Sequence, residues 1–279
     1  MAKSLLCIGY GFSAQALAFD MQQAGWNIEG TTRCKNRVAS MEKSGVKPII
    51  WPGDNLHQAL TKASHLLISA APNAQGDPFL NKIDISNYKF SWVGYLSTTG
   101  VYGNHNGAWV DETSSVMPTT KRGQWRILAE KAWSRTNVPL HIFRLAGIYG
   151  PGRGPFSKVK DGSARRIIKP GQMFSRIHVE DISQILTASI KRPRPGAIYN
   201  VCDDEPAPPQ DVIAYAAQLL SLPLPPEIPF DNSDMSPMAR SFYSENKCVQ
   251  NTLMKSELGI TLKYPNYRVG LQSLLEDEY

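Results

Sequence analysis

The chain has 279 residues, of which 42% are hydrophobic and 19% charged, a balance typical of a globular protein with a large core. Its four cysteines form no C-x-x-C pair and its five histidines lack metal-ligand spacing, so the composition argues against a disulfide scaffold and a metal site. The net charge of +6 favours anionic ligands, and the phosphates of a cofactor or substrate account for it without nucleic acid.

Nothing in the sequence suggests a membrane protein. The apolar runs are all shorter than a membrane span, and the few apolar residues after Met1 to Ser4 are too short for a signal peptide. We therefore expect a cytoplasmic protein with free thiols.

The segment LLCIGYGFSA, residues 5–14, predicts a short buried strand, a glycine turn and the start of a helix. Glycines at the first two positions of G-x-G-x-x-G/A leave no side chain between the main chain and a phosphate, and a small third residue lets the helix pack close to the strand. The first N–H groups of such a helix point at a pyrophosphate. The predicted cofactor-binding turn consists of Gly9, Gly11, Phe12, Ser13 and Ala14.

The helix that follows has apolar residues at helical spacing as far as Met21 and stops at Gly25, and residues 26–31 predict the second strand. A chain built for NAD places an acidic residue at the end of this strand, against the ribose hydroxyl. Here the strand runs into Thr32 and Arg33, and Glu29 lies inside it. This pattern favours NADP over NAD, with Arg33 on the 2′-phosphate; the alternative is that Arg33 is a solvated residue after a strand.

Apolar runs without alternation predict further strands at residues 47–51, 65–70, 92–97, 140–145 and 197–201. Such runs are typical of strands buried on both faces of a parallel sheet. Helices are predicted at about 123–135, 182–190 and 209–220. Ala70, Ala71 and Pro72 follow a strand end, the edge where open α/β sheets bind ligands, and are further cofactor candidates.

Five motifs occur in the order found in a known family: GYGFSA (9–14), STTGVYG (97–103), LAGIYGPGR (145–153), RIHVED (176–181) and IYNV (198–201). The chain resembles an extended or atypical short-chain dehydrogenase/reductase of the NAD-dependent epimerase/dehydratase group. The resemblance implies an α/β fold with a Rossmann-like, doubly wound parallel sheet and a smaller C-terminal region on the substrate side. We assign residues 1–155 to the dinucleotide-binding core, 175–220 to further core elements, and 156–174 and 221–279 to the substrate side.

The chain departs from the family at the catalytic pair. The family uses Tyr-x-x-x-Lys on the helix after the fifth strand, aided by a Ser or Thr that Thr98 matches. Aligned on Glu130, the helix has Arg122 at the tyrosine position and Arg126 at the lysine position. Arg126 is a candidate for the ribose hydroxyls, although a guanidinium does not shuttle protons. The alternatives are an ion pair of Arg126 with Glu130 and a Thr98 hydroxyl that only satisfies backbone groups.

Two tyrosines are to be considered as replacements for the missing base. Tyr102 lies near Thr98 in the sequence, and an arginine beside it would favour a phenolate; the alternative is a packed turn residue. The Tyr-x-x-x-Lys of Tyr243 and Lys247 lies far downstream and is interpreted as a chance match.

Basic residues cluster in the stretch assigned to the substrate side: Lys158, Lys160, Arg165, Arg166, Lys169 and Arg176. Their density suits a diphosphate-bearing ligand, as in the nucleotide sugars handled by the family, and a solvated basic loop is the alternative. Arg122, Arg166 and Arg176 are the substrate-binding candidates. His178 and Asp181 receive structural roles, with Asp181 as N-cap of the helix 182–190.

Two functions fit these residues. One is an NADP-dependent oxidoreductase or epimerase/dehydratase that acts on a phosphate-bearing sugar or related metabolite through Thr98 and an unusual acid–base group. The other is a catalytically degenerate NADP(H)-binding sensor or partner-binding protein, because the usual base is missing. The expected partners are a small anionic substrate without nucleic acid or membrane, and a homodimer is compatible with the sequence.

Overall fold

The computed structural model describes residues 3–276 and has an α/β architecture. Its strands, numbered along the chain, are β1 (Ser4–Ile8), β2 (Asn27–Thr32), β3 (Lys47–Ile50), β4 (His65–Ile68), β5 (Trp92–Thr98), β6 (Trp109–Val110), β7 (Leu140–Leu145), β8 (Gly147–Tyr149), β9 (Arg166–Ile168), β10 (Arg176–His178), β11 (Ile198–Val201), β12 (Glu227–Pro229) and β13 (Cys248–Val249). Its helices are α1 (Phe12–Gln23), α2 (Val38–Lys43), α3 (His57–Lys62), α4 (Lys121–Ser134), α5 (Phe156–Lys160), α6 (Val179–Lys191), α7 (Pro209–Leu219), α8 (Pro237–Phe242), α9 (Thr252–Leu258) and α10 (Tyr267–Glu276).

Seven parallel strands form the central sheet in the order β3-β2-β1-β4-β5-β7-β11. The strand order reverses between β1 and β4, which pair directly. At such a switch point the connections leave the sheet in opposite directions and open a crevice at the carboxyl ends of the strands. The predicted Rossmann-like, doubly wound parallel sheet is confirmed, and each predicted strand of the sheet agrees with the observed one to within two residues at either end.

Both faces of the sheet are covered, which explains the unbroken apolar runs. Leu5 and Cys7 of β1 point into a core shared with α1 and α6, whereas Leu6 and Ile8 point into a core shared with α3 and α4. Alternate residues of a strand face opposite sides of a sheet, so a strand between two helical layers needs apolar residues at every position.

Three two-stranded parallel ladders lie outside the central sheet, and the sequence predicts none of them. They join β8 to β10, β9 to β12 and β6 to β13. Each strand has only two or three residues and its partner lies far away in the chain, so no local pattern reveals it. The β6–β13 ladder joins a substrate-side segment to the core, and the β9–β12 ladder joins two substrate-side segments to each other. The domain division at residues 155, 175 and 221 stays a prediction.

The start of α6 corrects one expectation. The helix begins at Val179 with His178 as its N-cap residue, so Asp181 lies inside the first turn and is not the N-cap. The Asp181 carboxylate is buried and accepts hydrogen bonds from the backbone N–H groups of Lys263 (2.7 Å) and Tyr264 (3.0 Å). It therefore anchors the C-terminal segment to the core, which is a structural role of another kind.

None of the helices within residues 3–276 combines the length and apolarity needed to cross a membrane. The same residues contain no cluster of three or more His, Cys, Asp or Glu side chains arranged to hold a metal ion.

Candidate functional site

The turn after β1 is clamped between the ends of β2 and β4. Gly9 has φ +88°, and its N–H donates to Thr31 Oγ1 at 2.7 Å. A Cβ on Gly9 would lie 2.9 Å from the backbone nitrogen of Ala70. A side chain is therefore excluded twice, by the backbone conformation and by the approach of the neighbouring strand end.

The N-terminus of α1 is open. Gly11 is its N-cap residue, and no side chain of the described residues caps the helix there. A Cβ on Gly11 would meet only the Gly9 carbonyl oxygen, at 4.0 Å, so the space in front of the helix is free. The first hydrogen bond back into the cap runs from Gln15 N–H to Gly11 O, which leaves the N–H groups of Phe12, Ser13 and Ala14 outside the helical ladder. These three N–H groups are suited to donate hydrogen bonds to the pyrophosphate of a dinucleotide.

The end of β2 carries positive and not negative charge. Thr32 is buried and Arg33 is exposed just beyond it. Glu29 forms an ion pair with Lys47 on β3 at 3.0 Å, so its charge is matched within the sheet. Ala70, Ala71 and Pro72 follow β4 at the same edge, where Ala70 N–H donates to Ile8 O at 2.9 Å.

Thr98 ends β5 at the carboxyl edge and begins a 3-10 turn, Thr99–Tyr102. Its hydroxyl accepts from Gly100 N–H at 3.1 Å. The first turn of α4 packs directly on this turn, since a Cβ on Gly123 would lie 2.8 Å from the Gly100 carbonyl oxygen. The hydroxyl thus satisfies a backbone group, and the residue as a whole is partly exposed.

The two arginines of α4 lie in different surroundings. Arg122 is exposed in the first turn. Arg126 donates to Leu96 O at 2.8 Å and to the Tyr95 hydroxyl at 3.1 Å, so its guanidinium is bound to strand β5. The alternative of an Arg126 ion pair with Glu130 is wrong, because Glu130 turns inward to another arginine.

A buried polar network behind the site was missed by the sequence analysis. Arg144 of β7 donates to Glu130 Oε2 at 2.9 Å and to the Tyr102 hydroxyl at 3.0 Å. Ser97 donates to the same Glu130 carboxylate, and Tyr102 donates to Asn200 Oδ1 at 2.7 Å. The network therefore joins α4 to three neighbouring strand ends, β5, β7 and β11.

The surroundings of Tyr102 correct the expectation of a phenolate. The expected arginine is present as Arg144, but burial of the fully enclosed ring outweighs it and raises the pKa of Tyr102. The hydroxyl donates one hydrogen bond and accepts another within the network, which favours the structural interpretation. The catalytic assignment of Tyr102 stays a prediction.

Replacing Tyr102 with Phe separates these interpretations. We expect the free energy of unfolding to fall by about 1–3 kcal/mol, because Arg144 and Asn200 each lose a buried partner. Tyr199→Phe is the matched control, since the Tyr199 ring is equally buried but its hydroxyl donates at 3.0 Å to the partly exposed carboxylate of Glu257. It should cost less when both variants are unfolded in urea. Unchanged stability with lost turnover in Tyr102→Phe would instead support the catalytic assignment.

The arginines assigned to the substrate already have protein partners. Arg166 forms an ion pair with Glu227 at 2.9 Å across the β9–β12 ladder. Arg176 donates to the carbonyl oxygens of Phe174 (2.8 Å) and Ala207 (3.0 Å). Their substrate roles, like that of Arg122, stay predictions.

The downstream Tyr-x-x-x-Lys does not form a helical pair. Helix α8 ends at Phe242, so Tyr243 and Lys247 do not share a helix face as the family's residues do. The Tyr243 ring packs against Phe174, with ring centroids 5.2 Å apart. Lys247, however, reaches the loop after Tyr102, a position that the sequence analysis did not foresee.

Comparisons with known proteins bear on the fold and the family of this chain. No family model matches the chain. A functionally unknown conserved protein from Silicibacter pomeroyi DSS is 57% identical, with a TM-score of 0.95 and 99% of each chain covered. Protein YeeZ of Escherichia coli K12 is 29% identical over 285 residues, which span 95% of this chain and 97% of YeeZ.

A more distant likeness gives the fold class. The UDP-glucuronic acid 4-epimerase from Bacillus cereus, solved in complex with NAD, has a TM-score of 0.77 at 15% identity, with 99% of this chain and 97% of that chain covered. This chain belongs to one family with the Silicibacter pomeroyi protein, and its fold is that of the extended short-chain dehydrogenase/reductases of the epimerase/dehydratase group.

Proposed function

We propose that this protein binds NADP(H) and catalyses oxidation or reduction at a hydroxyl or carbonyl group of a phosphate-bearing sugar or related metabolite. The observation that carries the proposal is the glycine turn at the switch point of the sheet, with an uncapped helix N-terminus and free space in front of Gly11. When bound, a nicotinamide accepts or returns a hydride.

The charges after β2 support NADP over NAD. An adenosine ribose with free hydroxyls is held by a carboxylate, whereas a 2′-phosphate needs a cation. The nearest carboxylate in the strand, Glu29, is already paired with Lys47, and Arg33 is exposed at the strand end. A guanidinium is well suited to a phosphate because it offers several N–H donors in a fixed plane.

Replacing Arg33 with Glu tests this preference. We expect NADPH affinity to fall by about 10- to 100-fold, the size of a lost charge-assisted hydrogen bond, while NADH affinity stays the same or improves. Lys62→Glu makes the same charge change at an exposed position at the end of α3 and should leave both affinities unaltered. Equal loss of NADH and NADPH binding in Arg33→Glu would contradict the 2′-phosphate role.

The substrate side is supported by position and charge. Thr98 is the polar side chain at the end of β5, beside the first turn of α4, and its hydroxyl can donate to a substrate oxygen while it accepts from Gly100. The basic residues between 158 and 176 favour an anionic substrate. The relative named as a UDP-glucuronic acid 4-epimerase makes a nucleotide sugar the first class to examine.

A second candidate function is a non-catalytic NADP(H)-binding protein that senses redox state or holds a partner. The observation that favours it is the engagement of Arg126 with Tyr95 and Leu96, which occupies the group at the family's lysine position. In this case the fold would bind the nucleotide without turning over a substrate.

Titration of the purified protein with NADPH and NADH, followed by a search for NADPH oxidation across nucleotide sugars and simple carbonyl compounds, distinguishes the two. Binding with turnover supports the enzyme. Binding without turnover on the whole panel favours the sensor, and failure to bind either nucleotide contradicts both.

A further inference from the structure

Lys247 lies in an unusual place for a lysine. Its side chain is 11% exposed, and its ammonium donates to Gly103 O at 2.8 Å and to Glu245 Oε2 at 3.0 Å. Lysines are rarely buried to this extent unless a specific contact holds them. Lys247, Gly103 and Glu245 have no part in the nucleotide or substrate contacts assigned above.

Lys247 is hydrogen-bonded to the turn that follows β5 and begins at Thr98, a residue of the candidate site. Gly103 ends the turn that Thr98 begins, through hydrogen bonds from Gly100 N–H to Thr98 Oγ1 (3.1 Å) and from Gly103 N–H to Gly100 O (3.4 Å). On the other side, Glu245 Oε1 accepts from the hydroxyl of Thr119 at 2.8 Å, just before helix α4. Lys247 and Glu245 thus bridge the turn after β5 and the start of α4, the helix turn that carries the family's tyrosine and has Arg122 here.

The segment that carries the pair is fixed at both sides. Asn246 accepts at its carbonyl oxygen from His105 N–H (2.9 Å) and Gly107 N–H (3.1 Å), and its own N–H donates to Asn104 Oδ1 at 2.9 Å. Gln172 Nε2 donates to Glu245 O at 2.8 Å. The amine is therefore held in a defined position between the core and the substrate-side stretch, as an acid–base group requires.

The hydrogen bonds of Lys247 use two of the three N–H donors of its ammonium, so the third proton can be lost or gained without breaking them. An ammonium has three N–H donors, and two of them bind Gly103 O and Glu245. A neutral amine keeps both bonds and carries its lone pair in the third position. Burial lowers the pKa of Lys247, and the nearby Glu245 carboxylate opposes the shift without cancelling it. The other titratable group on the loop that carries Gly103 is His105, whose Nε2 lies 3.1 Å from Tyr102 O.

We propose that Lys247 is the acid–base group that replaces the tyrosine missing from α4. The assignment rests on the proposed oxidoreductase function. In the oxidative direction the substrate's O–H bond breaks and its proton goes to the Lys247 lone pair, while its C–H bond breaks and the hydride goes to oxidised nicotinamide. The products are a carbonyl compound, reduced nucleotide and the Lys247 ammonium. In the reverse reaction the hydride and the proton return to the carbonyl compound. Glu245 acts as a positioning residue that orients the amine.

The first test follows the titration of the lysine in the nucleotide-free full chain. Protein labelled with ¹³C at lysine Cε is titrated by NMR, and the Lys247 signal is assigned by its loss in Lys247→Arg. We expect the pKa of Lys247 to lie below the ordinary value of a lysine side chain, because the amine is buried. A Lys247 midpoint at or above that ordinary value would overturn the proposal.

The second test compares two variants with a matched control. We expect Lys247→Met to retain NADPH binding and to lose about 10²- to 10⁴-fold in kcat, the usual contribution of general acid–base catalysis. Lys247→Arg should not restore the rate, since a guanidinium stays protonated. Lys62→Met serves as control, with expected wild-type rate and binding.

The outcomes separate this assignment from the function on which it rests. Arginine can still donate to Gly103 O and to Glu245, so recovery of the rate in Lys247→Arg would show a merely structural tether and overturn the assignment. If wild-type protein binds NADPH and turns over substrate but Lys247→Met does so equally well, Lys247 is excluded while the proposed function stands. If the wild-type chain binds neither nucleotide, the proposed function fails and the catalytic assignment fails with it.

Discussion

A glutamate in place of Gly11 is expected to abolish nucleotide binding without harming the fold. The substituted Cβ would meet only the Gly9 carbonyl oxygen at 4.0 Å, and Gly11 does not have the positive φ that restricts Gly9. The added carboxylate would stand where the pyrophosphate is expected. At an effective dielectric constant of about 20, two charges 4 Å apart repel by about 4 kcal/mol, which corresponds to a loss of roughly 1000-fold in affinity.

Two further variants control this experiment. Gln23→Glu adds the same charge at the other end of α1, so it should leave NADPH affinity close to that of the wild type. Gly11→Ala introduces only a methyl group and should have a much smaller effect than Gly11→Glu. Fluorescence titration with NADPH measures binding, and thermal unfolding checks the fold. Wild-type affinity in a folded Gly11→Glu protein would show that the turn does not hold a pyrophosphate.

Replacing Arg144 with Met should lower the free energy of unfolding by about 3–5 kcal/mol. The Arg144 and Glu130 side chains are only 6% and 7% exposed, and the substitution leaves the Glu130 charge buried with the Ser97 hydroxyl as its remaining partner in the network. The Tyr102 hydroxyl loses a donor in the same step. Urea denaturation of the nucleotide-free protein measures the loss.

The double variant Glu130→Met, Arg144→Met provides the sharper comparison. A buried ion pair can often be exchanged for apolar side chains at little net cost, so the double variant should lose much less than the two single variants added together. Lys47→Met is the control at a partly exposed ion pair, with an expected cost below about 1 kcal/mol. Additive losses in the double variant would contradict a direct coupling between Glu130 and Arg144.

The central sheet could be predicted from the sequence because its signals are local. Apolar runs such as residues 92–97 mark strands buried on both faces, and the glycine turn marks where the first strand ends. The position of Thr98 at the carboxyl edge follows directly from these two signals and the parallel order.

The buried network could not be predicted in the same way, because charged residues usually face solvent. A weak signal was present, however. Arg144 is the one charged side chain in the buried strand β7, and Glu130 lies three residues after Ile127 and three before Trp133, on the buried face of α4. Lys247 stands out in the sequence only through the Tyr-x-x-x-Lys match, which does not predict its position, because it lies in a polar loop whose contacts depend on residues about 140 positions earlier.

Residues 246–250 run alongside residues 103–110 and so link two parts of the chain that are far apart in the sequence. Val249 and Cys248 pair with Val110 and Trp109 as neighbouring strands, and Asn246 bonds to the loop just before them. Residues from the far end of the chain thus pack against the part that carries the central sheet. A fragment that stops before residue 243 would expose the edge of β6 and lose the partner of Gly103, so we expect it to be less stable than the full chain.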